Sequence, residues 1–293
     1  MYKQLKPILA YVGGKFLLAK DIVNLIPNHL NYCEVFGGSL SVLLAKPYLK
    51  WYKCNYLKNN LFNNENIEQK LSFNEIVNDA SNNLINLYLI IKKYPLQFFN
   101  NLDCLPISRY LFENIKNGNI QPRNDLEKAV FYYYRILHSF GAKGNNFANL
   151  RTGKKFKVTN EFMFKQFSER LKHVIIENKD YEYIINYYDT KDTFFYLDPP
   201  YYNVCNVPTY YENFKEENFV NLKEILDNIQ GKFLLSINYC DFIKEFFKGY
   251  NFKFLKHKYT INSNSNTTQA NECLISNYDF KDCKYIYIGD KLI

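Results

Sequence analysis

Residues 31–46, NYCEVFGGSLSVLLAK, constrain the fold more than any other stretch of the chain. A short run of strand-forming residues, NYCEVF, meets two adjacent glycines, and a helical pattern follows until Pro47 stops it. Glycine admits turns closed to other residues. Strand, glycine turn and helix in immediate succession form the opening of a doubly wound α/β unit. A second strand, FNEIVND (73–79), ends in Asp79 and leads into a helical run, SNNLINLYLIIKKY. The polar stretch between the two units, about 48–72, reads as an insertion.

From about 90 to 170 the rhythm turns helical, with ISRYLFENIKNG and DLEKAVFYYYRILHSF, and then passes into the polar loop GAKGNNFANLRTGKKFKV. Strand patterns return at HVIIEN, TFFYLD, KFLLSIN, FKFLKHKYTI, ECLISNY and YIYIG, with helical runs such as EENFVNLKEILDNIQ between several of them. This alternation predicts a mostly parallel sheet whose late strands form an antiparallel edge. The predicted division is 1–89 and 171–293 for the two parts of the sheet domain, with 90–170 inserted between its second and third strands.

FFYLDPPYYN (194–203) ends a strand in an unusual way. Proline fixes its own φ and lacks a backbone donor, so Pro199 and Pro200 cannot continue a ladder. The strand must stop at Asp198, with the next carbonyls held rigid and two tyrosines behind them. Such an arrangement suits alkylation of an amino group on an aromatic base, whose lone pair is delocalised into the ring. Two acceptors, the Asp198 carboxylate and the Pro199 carbonyl, would take both amino hydrogens and return the lone pair to nitrogen. Tyr201 would stack on the base.

Other signals are weaker. The glycines at 37 and 38 serve either a tight turn or close approach of a ligand to backbone amides. Asp79, at a strand end, is either a helix cap or an acid that holds ribose hydroxyls. GGK at 13–15 lacks the upstream glycine and the following Ser or Thr of a phosphate loop, which argues against an NTPase, although Lys15 could meet a ligand carboxylate. The formal net charge of +8 favours a polyanionic partner, though A/T-rich codons would supply the same lysines and aromatics. The seven cysteines are scattered with no metal-ligand spacing, so no metal site and a reduced, cytoplasmic protein are expected. No stretch approaches the roughly 18 apolar residues that span a bilayer.

Taken together, these motifs resemble the Dam-like (alpha class) DNA adenine-N6 methyltransferases. YVGGK is similar to that family's N-terminal W-x-G-G-K element, EVFGGSLSV to its glycine-bearing cofactor motif, and VNDASNNLINLY to its N-D-I-N-x-x-L-I-x-x-Y element. VIIENKDYEYI and FFYLDPPYY complete the order. The resemblance implies a Rossmann-like sheet domain with an inserted, mainly helical target-recognition domain. The implied activity is transfer of a methyl group from S-adenosyl-L-methionine (AdoMet) to adenine N6 in double-stranded DNA after base flipping. It implies cofactor contacts at Tyr11, Lys15, Phe36, Gly37, Gly38, Asp79, Asp180, Tyr181 and Asp198, and catalytic roles for Asp198, Pro199, Pro200 and Tyr201. A monomer is expected, with a cognate restriction endonuclease as a possible partner.

The 131–158 segment resembles the family's DNA-entering hairpin. Lys143, Arg151, Lys154, Lys155 and Lys157 lie there without an intervening acid, suited either to phosphate contact or to a solvated basic loop. The chain departs from the family in carrying Tyr11 for Trp and Leu40 for the second glycine, a loss for which Gly37 and Gly38 are expected to compensate. Ala142 and Lys143 stand near the hairpin tip, so the family's target sequence does not carry over. A catalytically inactive DNA-binding homologue and a methyltransferase of RNA or a protein amide are the competing readings.

Overall fold

The computed structural model describes residues 5–11, 13–47, 73–148, 159–200, 214–255, 272–283, 287–288 and 291–292. Its strands are β1 (Asn31–Glu34), β2 (Asn74–Asn78), β3 (Val174–Glu177), β4 (Thr193–Leu197), β5 (Lys232–Asn238), β6 (Asn251–Leu255) and β7 (Glu272–Ser276). They form one sheet in the order β3-β2-β1-β4-β5-β7-β6. The first five strands are mutually parallel, and β7 and β6 are antiparallel. This is the mostly parallel sheet with an antiparallel edge that the sequence implied. Tyr287–Ile288 and Lys291–Leu292, β8 and β9, pair in a separate two-stranded ribbon. Of the YIYIG run, the described residues Tyr287 and Ile288 pair in this ribbon and not in the main sheet, whose edge is β6.

The helices are α1 (Ala19–Val23), α2 (Ser41–Ala45), α3 (Asn82–Lys93), α4 (Pro95–Asp103), α5 (Arg109–Lys116), α6 (Asp125–Leu137), α7 (Glu161–Leu171), α8 (Tyr181–Tyr188), α9 (Glu216–Asn228) and α10 (Asp241–Phe246). Local chemistry sets their starts. Ser81, Ser108, Asn124, Asn160 and Asp180 each accept a hydrogen bond from a first-turn amide, and Pro95 occupies the first turn of α4.

Both faces of the sheet are covered, which is why its strands read as nearly unbroken apolar runs. One face presents Cys33, Phe195, Leu197, Phe233, Leu235 and Ile237 to α8, α9 and α10. The other presents Tyr32, Phe194, Tyr196 and Leu234 to α1, α2 and α3. The helices of the 95–171 region join this second cluster through Phe98, Phe112, Tyr133, Tyr134, Phe164 and Phe167. Phe98, Tyr133 and Phe164 meet edge to face, with centroids 5.0–5.6 Å apart. Arg170, at the end of α7, ties this region to the sheet. Its guanidinium makes bonds of 2.6 and 3.0 Å to Glu75 on β2 and one of 2.9 Å to the Leu43 carbonyl on α2. Lys46 reaches the same carboxylate at 2.9 Å. Cys33, Cys104, Cys273 and Cys283 are free thiols.

Candidate active site at the reversal of strand order

From β1 the chain moves outward to β2 and β3; from β4 it moves the opposite way to β5. β1 and β4 are hydrogen-bonded neighbours, with Glu34 opposite Tyr196. The order thus reverses between them, and in doubly wound sheets the crevice at the carboxyl ends of such a pair is where ligands bind. Phe36, Gly37 and Gly38 follow β1, Asp79 follows β2, and Asp198, Pro199 and Pro200 follow β4. The two prolines end β4 at Leu197, one residue before the acid.

The glycine turn is fixed by close contacts. Gly37 donates to the Asn78 carbonyl at 2.7 Å, and a Cβ on Gly37 would lie 2.8 Å from that oxygen. Gly38 has φ +46°, donates to Asp79 Oδ2 at 2.9 Å and accepts a bond from the Tyr88 hydroxyl. The Tyr11 ring lies over Gly38, 3.3 Å from where a Cβ would stand.

Gly37 and Gly38 do not complete the turn by themselves. Leu40 also takes a left-handed conformation, φ 55°, at the start of α2, and its side chain is fully buried. That conformation costs a non-glycine residue about 1–2 kcal/mol, whereas deleting a buried leucine side chain costs about 2–5 kcal/mol. Leu40→Gly is accordingly expected to destabilise the protein by about 1–3 kcal/mol in urea unfolding. A stabilised variant would show that packing does not hold Leu40 there.

Asp79 is not the cap of α3. Ser81 performs that task, and Asp79 accepts amide bonds from Ser81 and Gly38, bracing the glycine turn against β2. Burial raises its pKa, against the lowering effect of those two bonds. Asn78, which sequence reasoning passed over, joins three strand ends. Its amide donates to the Val35 and Lys179 carbonyls, and its Oδ1 accepts from the Lys179 amide. Asp180 is exposed and caps α8. Tyr181 is buried and stacks on Phe36, centroids 5.7 Å apart.

Lys15 does not offer its ammonium to solvent. It is buried, 2.7 Å from Asp198 Oδ1, 3.2 Å from the Gly13 carbonyl and 3.5 Å from Glu272 Oε1 on β7. The ammonium read as a partner for a ligand carboxylate is thus held by protein carboxylates. Burial pushes the pKa of Asp198 up to about 6, with Lys15 opposing and Glu272 assisting the rise. Nearby on β1, burial raises Glu34 to about 8, although it accepts bonds from Tyr32 and the Leu43 amide. Glu34 is therefore mostly neutral at pH 7. Glu272 carries no motif that would single it out in sequence.

Lys143 is exposed at the tip of a hairpin-like loop closed by a Ser139–Phe147 bridge and by a bond from the Phe140 amide to Asn146. Gly141 and Ala142 turn it with positive φ, and Phe140 beside them is exposed. Tyr201, Arg151, Lys154, Lys155 and Lys157 lie outside the described residues. Among the described residues no group of His, Cys, Asp and Glu is placed to hold a metal ion, and no helix is long and apolar enough to cross a membrane. A cavity between α8 and α9, lined by Ile185, Asp189, Asn221 and Ile229, opens beside the segments that lead into β4 and β5. It therefore belongs to the opposite end of the sheet from Asp198.

Residues 11–261 match the model of a family described as D12 class N6 adenine-specific DNA methyltransferase. The Type II methyltransferase M.CviBI of Paramecium bursaria Chlorella virus NC1A is 24% identical over 288 residues, an alignment covering 94% of this chain and 100% of that protein. The Type II methyltransferase M.MjaIII of Methanocaldococcus jannaschii is 26% identical over 310 residues, again covering 94% of this chain and 100% of the relative.

Proposed function

The chain belongs to the D12 class of N6 adenine-specific DNA methyltransferases, and from that premise we propose that the crevice between β1 and β4 holds AdoMet beside an adenine turned out of double-stranded DNA. The observation that carries this reading is Asp198, aligned by Lys15 at the end of β4 and adjacent to the glycine turn after β1. The residues present fit such a cofactor. A Cβ on Gly13 would meet nothing within 4 Å, Gly38 lies under the Tyr11 ring, and an ionisable acid stands beside them. Tyr11, Gly37 and Gly38 would line the methionine side, Asp79 the ribose, and Phe36 and Tyr181 the adenine ring. When bound, AdoMet supplies an electrophilic methyl group on a sulfonium.

The remaining work falls to the protein. Lys15 occupies Asp198 Oδ1, and Oδ2 has no hydrogen-bond partner among the described residues. Oδ2 and the Pro199 carbonyl are then the two acceptors for the hydrogens of the adenine amino group. Taking both would localise the nitrogen lone pair and aim it at the methyl group. Placement supplies most of the acceleration, because the displacement is direct and needs no covalent enzyme intermediate. The surplus proton leaves to water. Unstacking the base costs a few kcal/mol, met by DNA contacts from the 90–170 region, with Lys143 at the hairpin tip and Arg151, Lys154, Lys155 and Lys157 following it in sequence. The protein works as a monomer, with a cognate endonuclease as its functional partner.

Two measurements test this reading. Calorimetry should show AdoMet binding to the free protein, and sequencing of DNA from cells expressing the chain should show methylated adenines at one recurrent site. Cofactor binding without modified adenines would identify an inactive homologue. Absence of cofactor binding would overturn the proposed crevice.

A further inference from the structure

Asn238 ends β5, and its side-chain Nδ2 is buried with no hydrogen-bond partner among the described residues. The whole residue is only 7% exposed. A buried amide donor left unpaired is uncommon in folded proteins and costly, because the water it gave up is not replaced. Its position says what could replace it. β5 pairs in parallel with β4, Leu235 opposite Leu197. The same register carries Ser236 to the level of Asp198 and Asn238 to that of Pro200. Side chains two residues apart share a sheet face. Tyr196 and Leu234 belong to one core cluster and Ile237 to the other, so Ser236 and Asn238 share the face of Asp198. The Ser236 hydroxyl agrees: it bonds Glu272 Oε1, 3.5 Å from the Lys15 ammonium, which is itself 2.7 Å from Asp198. Asn238 thus stands one step further along, at the rim of the crevice where β4 and β5 end.

β5 lies on the opposite side of β4 from β1. The cofactor reading sets AdoMet against the glycine turn after β1, with Asp79 after β2. Asn238 stands across Asp198 from that turn, on the side left for the base. Its donor is neutral, which suits a ring nitrogen better than a phosphate, whose charge calls for a cation. The Tyr196 hydroxyl is also unpaired among the described residues, but at 1% exposure inside β4 it lies below the layer that a ligand reaches.

We propose that Asn238 is a specificity-determining residue for the target base: its Nδ2 donates to the adenine ring nitrogen beside the amino group, N1 or N7, while Asp198 and Pro199 take the amino hydrogens. The three contacts together read one edge of the base and fix its rotation in its own plane. This rests on the base site proposed above and adds a residue that recognises the ring itself.

The test pairs variants with base analogues. The substrates are duplexes containing the methylated site found by sequencing, with adenine, 1-deazaadenine or 7-deazaadenine at the target position. Both analogues keep the amino group and lack one ring acceptor. Asn238→Ala should lower kcat/KM on adenine by about 10–100-fold, the range for losing one buried hydrogen-bonding group, with AdoMet affinity unchanged. On the analogue that lacks the contacted nitrogen the wild-type protein should fall by a similar factor and the variant no further, so that the two agree within about twofold. No loss on adenine, a loss that persists on both analogues, or a matching loss of AdoMet affinity would each overturn the inference. Stability gives an independent readout. Asn238→Leu replaces an unpaired amide with an apolar group of similar size, so the free protein should unfold at the same or a higher urea concentration while transfer falls as in the alanine variant. A lower midpoint would show that the amide is already satisfied in the free protein, and would also overturn the inference. If Asn238→Ala does not fold, Asn238→Leu carries the comparison across the analogues. A wild-type protein that methylates no adenine would instead overturn the function proposed above and leave the urea result standing.

Discussion

Asp198→Ala is expected to lose methyl transfer by about 10³-fold or more in kcat/KM while remaining folded. Removing one preorganised hydrogen-bonding group from an active site commonly costs about 10²–10³ in rate. In the proposed site the same group would also orient the attacking nitrogen, so the loss should lie at or beyond the upper end. Folding should survive because Lys15, deprived of Asp198, still has the Gly13 carbonyl at 3.2 Å and the Glu272 carboxylate at 3.5 Å. Asp198→Asn is the stricter control. It preserves shape but replaces acceptor capacity and charge with a neutral amide, and its transfer rate should stay near that of the alanine variant. Labelled methyl incorporation into duplex DNA, with circular dichroism to confirm folding, measures both. Normal turnover in either variant would remove Asp198 from the chemistry.

The second large effect concerns stability. Arg170→Ala should destabilise the protein by about 3–5 kcal/mol, the usual consequence of breaking a buried ion pair from one side. Burial alone would raise the Glu75 pKa, but Lys46 and Arg170 outweigh it and hold the carboxyl down at about 2. Without Arg170, Glu75 keeps only Lys46, and the Leu43 carbonyl loses the guanidinium bond to α2. The charged group costs more to strand than to replace. Substituting Lys46, Glu75 and Arg170 together with apolar residues of similar volume should therefore recover much of the loss. Denaturant unfolding of the single and triple variants checks this. A loss below about 1 kcal/mol for Arg170→Ala would mean that the triad does not anchor α7.

Local chemistry made much of this molecule legible in sequence. NYCEVFGGS announced a strand and a turn because glycine spacing and apolar patterning act over a few residues, and β1 and the left-handed Gly38 stand where that patterning puts them. Pro199 and Pro200 told where β4 stops for the same reason. Leu40 shows the limit of that logic. Reading the motif as a count of glycines suggested that two were enough, but the third left-handed position remains, occupied by a leucine that the core retains. Asp79 held two readings in sequence, cap or ligand-binding acid, and the cap role falls to Ser81 two residues later.

Long-range convergence was out of reach. Nothing near Glu272 says that a lysine from the first turn of the chain will lie beside it, because that contact is produced by β5 and β7 pairing after the whole sheet has formed. The same holds for Arg170 and Glu75, each an ordinary charged residue until α7 packs on the sheet face that carries β2. The terminal YIYIG run illustrates the converse. Its β-forming composition pointed to strand, but composition does not choose a partner, and the described pair Tyr287–Ile288 lies outside the main sheet.

The most direct test is to identify the methylated product. Duplex DNA would be incubated with labelled AdoMet and either wild-type protein or Asp198→Ala, digested to nucleosides and resolved by mass spectrometry. Label in N6-methyladenine with the wild-type protein, and almost none with the variant, is the expected result. Label in a methylated cytosine, or equal N6-methyladenine from both proteins, would contradict a crevice in which Asp198 presents the adenine amino group to the methyl donor.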